Sequence, residues 1–339
     1  MTDPVTKSVS RRLGLHKSEA AQRSVAAVAT AKPPHEARSA AGALATRRLV
    51  GLGTLADYWS LTKPRITLLN LVTTFAASWL ASGGRASAAQ VGWTLLGTAL
   101  AVASGAVLNC WVERDRDRLM ERTSRRPLPA GRIAPANALL FGLLLGVAGT
   151  VVLALKLNLV SAAVAAGGIV FYAGIYTALL KPRTHWNTVL GGIAGSVPPL
   201  IGWTAVTGGL DPVGLAVAGI VFLWQPVHFW ALALGCRDDY ARAGIKMLPV
   251  THGPEATSRQ ILLYTLLLVA ASVWLAWLGA AGPYYLAGAL IYGAFLLLLA
   301  VQNLAAAGAD LRVAWRLFHG SNAYLALLFL LLVLDCRCG

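Results

Sequence analysis

The chain has 339 residues, 57% of them hydrophobic and 13% charged, with a mean hydropathy of +0.63. A water-soluble domain carries about a quarter charged residues, so this composition excludes an ordinary soluble enzyme and indicates a chain embedded in the lipid bilayer. The formal charge of +15 would suit nucleic acid, but the basic residues lie in connections between long apolar runs, which excludes that partner and suits bilayer edges.

Residues 1–50 are rich in Ala, Ser and Arg, poor in acids and without an apolar core, which excludes a secretory signal peptide. That leaves a mitochondrial transit peptide or a disordered cytoplasmic tail; the tail is the preferred reading, and it is expected to run to residue 56. Residues 57–339 read as one polytopic membrane domain. Its predicted spans are 66–82, 91–112, 136–155, 159–180, 188–207, 213–235, 260–280, 283–303 and 321–335. The first is diluted by Asn70 and three threonines, and the last is short for a bilayer. An all-α integral membrane protein with nine transmembrane helices is therefore expected. Very short connections at 156–158, 208–212 and 281–282 are those of helical hairpins.

Charge supports this count. With nine spans, 26 of the 29 Lys and Arg residues fall on one side, leaving only Arg85, Lys156 and Arg337 on the other. Positive loops stay cytoplasmic, so the N-terminus is expected inside and the C-terminus outside. A bacterial plasma membrane is preferred over a mitochondrial inner membrane. The four cysteines, Cys110, Cys236, Cys336 and Cys338, have neither metal-ligand spacing nor a disulfide framework.

The second span runs into Asn109-Cys-Trp-Val-Glu113-Arg-Asp-Arg-Asp117. On a continuing helix, steps of four residues drift only about 40°, so Asn109, Glu113 and Asp117 share one face while Asp115 points away. An amide and two carboxylates at a helix end form a candidate Mg²⁺ site, since Mg²⁺ takes one or two carboxylates plus phosphate oxygens. A solvated loop laced with ion pairs would explain the same spacing. Downstream come Arg122, Arg125 and Arg126, and guanidinium groups bind phosphate bidentately. Lys181 and Arg183 form a third basic element, and Lys63 with Arg65 a weaker one that reads equally well as a topological anchor. The candidate diphosphate ligands are Arg122, Arg126, Lys181, Arg183 and Lys63.

A second cluster joins Trp224-Gln-Pro-Val-His228-Phe-Trp230 to Arg237-Asp238-Asp239-Tyr240. On a continuous helix His228 and Asp239 lie within about 20° of each other, with Trp224 on the same side, although Pro226 could kink it. An ionisable residue inside a membrane helix is a functional candidate. His228, with Trp224 and Trp230 beside it, is therefore a candidate functional residue. Asp238 and Asp239 join Asn109, Glu113 and Asp117 as candidate catalytic residues.

The Asn109-x-x-x-Glu113-x-x-x-Asp117 pattern resembles the first aspartate-rich motif of the UbiA-type intramembrane prenyltransferases. Four blocks resemble the family's haem-directed branch, the protohaem IX farnesyltransferases: Glu113 through Leu128, Asn187 through Gly202, Trp224 through Trp230, and Arg237 through Pro249. The likeness covers about residues 57–335. Glu113 stands where the family normally has aspartate, and Arg116 replaces a usually apolar residue. Gly235 stands where quinone-directed members often carry an acid.

The resemblance implies a nine-helix bundle around a central cavity opening to the cytoplasm. It implies Mg²⁺ held by Asn109, Glu113 and Asp117, with farnesyl diphosphate as donor and haem b as acceptor, the acceptor being bound by His228, Trp224 and Trp230. The implied product is haem O, and the implied partners are haem A synthase or terminal oxidase assembly. A second reading is a UbiA-type enzyme acting on an aromatic quinone precursor, against which His228 and Gly235 argue. A membrane transporter is a third, weakened because the acidic clusters sit at helix ends on one side rather than in matching halves.

Overall fold

The computed structural model describes residues 51–336. Among them the chain is helical, with a single isolated β-bridge between Leu52 and Ile133. A short helix, α1 (Leu55–Leu61), starts on a reciprocal cap between Thr54 and Asp57. Nine long helices follow: α2 (Pro64–Ala81), α3 (Ala88–Asp117), α4 (Pro135–Lys156), α5 (Leu159–Arg183), α6 (Asn187–Thr207), α7 (Pro212–Gly235), α10 (Gly253–Trp277), α11 (Pro283–Ala305) and α12 (Leu311–Leu334). The short α8 (Arg237–Arg242) and α9 (Leu248–Thr251) connect α7 to α10. Several long helices carry Pro in their first turn, where a missing N–H costs nothing.

Among the described residues, eight of these helices are long and apolar enough to cross a membrane. The exception is α2, diluted as the sequence suggests by Asn70 and threonines. Thr73 and Thr74 are buried and donate to the Asn70 carbonyl at 2.8 Å, so these hydroxyls are satisfied by their own helix turn. The final helix begins ten residues before the expected 321, at Leu311, and α10 starts at Gly253 rather than 260. In both cases the charged first turns lie beyond the apolar run that hydropathy detects. Pro226 lies inside α7, and that helix runs unbroken to Gly235. The described part of the expected tail, residues 51–56, pairs with Ile133 and caps α1; residues 1–50 and 337–339 lie outside the described residues.

Small residues let the helices approach closely. Ser104 of α3 donates to the Gly142 carbonyl of α4 at 2.7 Å. A methyl group at Gly202 of α6 would stand 2.2 Å from the Thr74 carbonyl oxygen of α2. α7 is the centre of the larger core, which holds its Val217, Ile220, Trp224, Val227 and Trp230, and it packs against α6, α10 and α12. The long basic connections meet at one end of the bundle: Asn187 donates to the Lys246 carbonyl, and Met120 packs with Ala233, Tyr240 and Met247.

Candidate functional site

α3 continues past the apolar run to Asp117, and its last two turns place Asn109, Glu113 and Asp117 on one buried face, exposed by only 3%, 3% and 1%. Asp115 points out, pairing with Arg114 and Arg118 at the surface. The buried face is therefore more than a solvated helix end laced with ion pairs.

Each member of the face is met by a cation from a different part of the chain, Lys63 before α2, Lys181 at the end of α5 and Arg126 in the connection after α3. Lys63 donates from Nζ to Asn109 Oδ1 at 2.8 Å. Lys181 Nζ lies 2.5 Å from Glu113 Oε1, and Arg126 donates from Nη1 to Asp117 Oδ2 at 2.7 Å. Lys63 adopts a left-handed backbone, φ 50°, directly before Pro64. That conformation is unfavourable for a non-glycine residue, and such strain persists only where surrounding structure imposes it. Burial works to lower the Arg126 pKa, but the Asp117 carboxylate outweighs it and holds the guanidinium above its ordinary value.

Asn109 orders the group. Its Nδ2 donates to Glu113 Oε2 at 3.1 Å and to Thr177 Oγ1 at 3.1 Å. Thr177 belongs to a π-helical stretch of α5, Val170–Leu180, and donates to the Tyr172 carbonyl at 2.6 Å. The wide π turn is a feature common at functional sites. Thr123 also ties the connection to α3, donating to the Asp117 carbonyl at 2.9 Å. Thr177 and Thr123 are absent from the sequence-predicted set; Thr123 follows Asp117 by six residues, but Thr177 is 68 residues from Asn109 and reaches it only through the packing of α5 on α3.

Among the described residues no group of three or more His, Cys, Asp or Glu side chains converges as a metal site. The face offers two carboxylates and an amide, and Asp117 Oδ1 is buried with no hydrogen-bond partner. A buried carboxylate oxygen without a partner is costly, and it is an available hard oxygen ligand. This donor set fits Mg²⁺, which completes its shell with substrate phosphate oxygens and water.

The other predicted residues are spread more widely. Arg122 and Arg183 are exposed, as is Asp238. Asp239 pairs with Arg242 one turn on. The expected alignment of Trp224, His228 and Asp239 on one continuous helix does not hold, because α7 ends at Gly235 and Asp239 belongs to the separate α8 after a break at Cys236. Arg116 is partly exposed and does not enter the buried face's contacts.

His228 and Trp224 stack on each other, while Trp230 is buried edge-on to Tyr264 with its Nε1 unpartnered. At Gly235, a methyl would meet the Trp315 ring of α12 at 3.0 Å, so any larger side chain there requires that ring to shift.

A bundle of long apolar helices carrying a buried Asn109–Glu113–Asp117 face met by three cations defines an intramembrane protein with a buried charged site. The chain belongs to the UbiA prenyltransferase family, whose model matches residues 70–331. It is 44% identical over 293 residues to a Protoheme IX farnesyltransferase of Symbiobacterium thermophilum, covering 86% of this chain and 98% of that relative. It is 49% identical over 287 residues to a protein of the same name from Gloeobacter violaceus, covering 83% and 92%. Among solved structures, the fold is similar to a digeranylgeranylglyceryl phosphate synthase, with TM-score 0.69, 17% identity and 83% and 98% of the two chains covered. It is also similar to a UbiA homologue from Archaeoglobus fulgidus bound to DMAPP and Mg²⁺, with TM-score 0.57, 19% identity and coverage of 79% and 99%.

Proposed function

We propose that this chain transfers the farnesyl group of farnesyl diphosphate to a vinyl group of protohaem, adding water and releasing diphosphate, to give haem O. The observation that carries the reading is the buried Asn109–Glu113–Asp117 face met by Lys63, Lys181 and Arg126. The acceptor follows from near-full-length relatives named Protoheme IX farnesyltransferase.

In this mechanism Glu113 and Asp117, with Asn109, would hold Mg²⁺, which would supply positive charge to neutralise the diphosphate. Lys63, Lys181 and Arg126 already point at the face and exchange their carboxylate and amide partners for phosphate oxygens when substrate enters. Arg122 and Arg183, exposed on the basic connections, draw the anion in, and Asp238 and Asp239 are candidate catalytic acids on the short α8 that follows α7. The C1–O bond of the farnesyl diphosphate breaks with its electron pair going to diphosphate. The vinyl π pair then attacks C1, and the resulting cation takes up water and loses a proton. Preorganised charge stabilises the leaving group, and the surrounding helices exclude bulk water from the allylic cation. His228, Trp224 and Trp230 serve the acceptor.

The setting is the plasma membrane of a bacterium, with the N-terminus and the basic connections cytoplasmic. The product would pass to haem A synthase or to terminal oxidase assembly. Purified protein in lipid nanodiscs, given farnesyl diphosphate, Mg²⁺ and haem b, should yield a farnesylated, hydrated haem by mass spectrometry. Prenylation of an aromatic quinone precursor in place of haem would replace this reading.

A further inference from the structure

The environment of His228 specifies which ring nitrogen carries its proton. The imidazole lies between the Trp224 indole, with centroids 4.5 Å apart and 17° between planes, and the Phe318 ring, at 4.4 Å and 25°. Trp224 Nε1 donates to the Ser321 carbonyl at 2.7 Å, so the stack is tied to α12. His228 Nδ1 lies 3.0 Å from Ser321 Oγ, while Ser321 Oγ donates to the Phe318 carbonyl at 2.8 Å. A hydroxyl has one proton to give. With that proton committed to Phe318, Ser321 Oγ accepts from the imidazole, and Nδ1 carries the hydrogen. A neutral imidazole has one N–H, so Nε2 is a bare lone pair. Nε2 makes no hydrogen bond and is not among the fully enclosed polar atoms that lack a partner, so it is the ring nitrogen left available to a ligand.

We propose that Ser321 is a positioning residue that holds His228 as the Nδ1–H tautomer and thereby presents Nε2 as a Lewis base to the iron of the haem acceptor. This rests on the reading above that His228 serves the acceptor, and it narrows how. An Nε2 without hydrogen cannot donate to a propionate carboxylate, which only accepts. The neutral imidazole nitrogen is a common ligand of metals, haem iron included. In such sites the group bonded to the other ring nitrogen fixes the tautomer, orients the ring and raises its basicity. Ser321 is fully buried and does this from α12, 93 residues away in sequence.

The test uses the full chain in nanodiscs, titrated separately with ferric haem b and with metal-free protoporphyrin IX, with the Soret spectrum recorded for haem. Ser321→Ala should weaken haem binding by roughly tenfold, the lower end for loss of a partner that orients a metal-ligating histidine, and leave protoporphyrin IX and farnesyl diphosphate binding unchanged. His228→Gly should lose the nitrogen-ligand Soret signature, and added imidazole should restore it. Equal loss of haem and protoporphyrin IX in either variant would show porphyrin contact that does not run through iron, overturning this inference while leaving the acceptor reading intact. If Ser321→Ala bound haem as the parent does, the tautomer role would be wrong. If His228→Gly changed neither ligand, both this inference and the acceptor assignment would fall.

Discussion

Lys181→Met leaves Glu113 buried without the cation that touches it. In the parent, Nζ and Oε1 are 2.5 Å apart, with side chains 19% and 4% exposed; methionine keeps much of the apolar stem and removes the charge. Breaking a buried ion pair from one side costs about 3–5 kcal/mol, because the remaining charge is uncompensated. Here Asn109 Nδ2 still donates to Oε2 at 3.1 Å, which places the expected loss at the lower end, about 3 kcal/mol. For a chain of this size each kcal/mol moves the thermal midpoint by about 2 °C, so a fall on the order of 6 °C is expected. Size-exclusion chromatography of heated samples, read by tryptophan fluorescence, measures it. The double variant Lys181→Met/Glu113→Gln removes both charges and should recover most of the loss, yet neither variant should turn over. A single variant as stable as the parent, or a double variant no better than the single, would refute the buried pair.

Asp117→Ala should abolish turnover while the protein remains folded and inserted, because it removes a helix-end ligand rather than core packing; near-normal haem O formation at ordinary Mg²⁺ would contradict the metal assignment. With the basic connections cytoplasmic, cysteines placed at Ser124 and His185 should resist a membrane-impermeant thiol reagent applied outside intact cells, and ready labelling would invert the topology. The Asp57 carboxyl, outside the spans, is held below its ordinary value of 3.8 by the Arg132 guanidinium, helped by Thr54. Its stabilising contribution is thus fully present above that ordinary value and is lost as pH falls through the lower folded one. The difference in thermal midpoint between parent and Asp57→Asn should therefore be constant from about pH 7 to about pH 5 and shrink only below about pH 4. A difference that vanished already at about pH 6 would exclude this carboxylate as its source.

The buried face was legible because helix periodicity alone aligns residues four apart: once α3 continues, Asn109, Glu113 and Asp117 must point together. The choice among cations was not. Arg122, Arg126, Lys181 and Arg183 look alike as basic residues in connections, and only the packing of Thr123 on Asp117 and of α5 beside α3 turns Arg126 and Lys181 inward. Lys63 read equally well as a diphosphate ligand and as an anchor, and its reach to Asn109 depends on a left-handed residue before proline that sequence pattern disfavours. The second cluster failed as a helical alignment because the break between Gly235 and Arg237 has no strong signal: the C-cap is Cys236, with neither a left-handed glycine nor a proline. Ser321, Phe318 and Trp315 lay at or before the edge of the expected last span, and their meeting with α7 is a long-range contact that local pattern does not carry.

The measurement closest to the central claim is the haem composition of cells. Haem extracted from a bacterial host that lacks this activity should contain haem b and no haem O. The same host expressing this chain should contain haem O, identified by mass, and expressing the Asp117→Ala variant should not. Haem O in equal amounts with and without the functional chain would contradict the account, as would its absence in cells shown to hold the folded protein in their membrane.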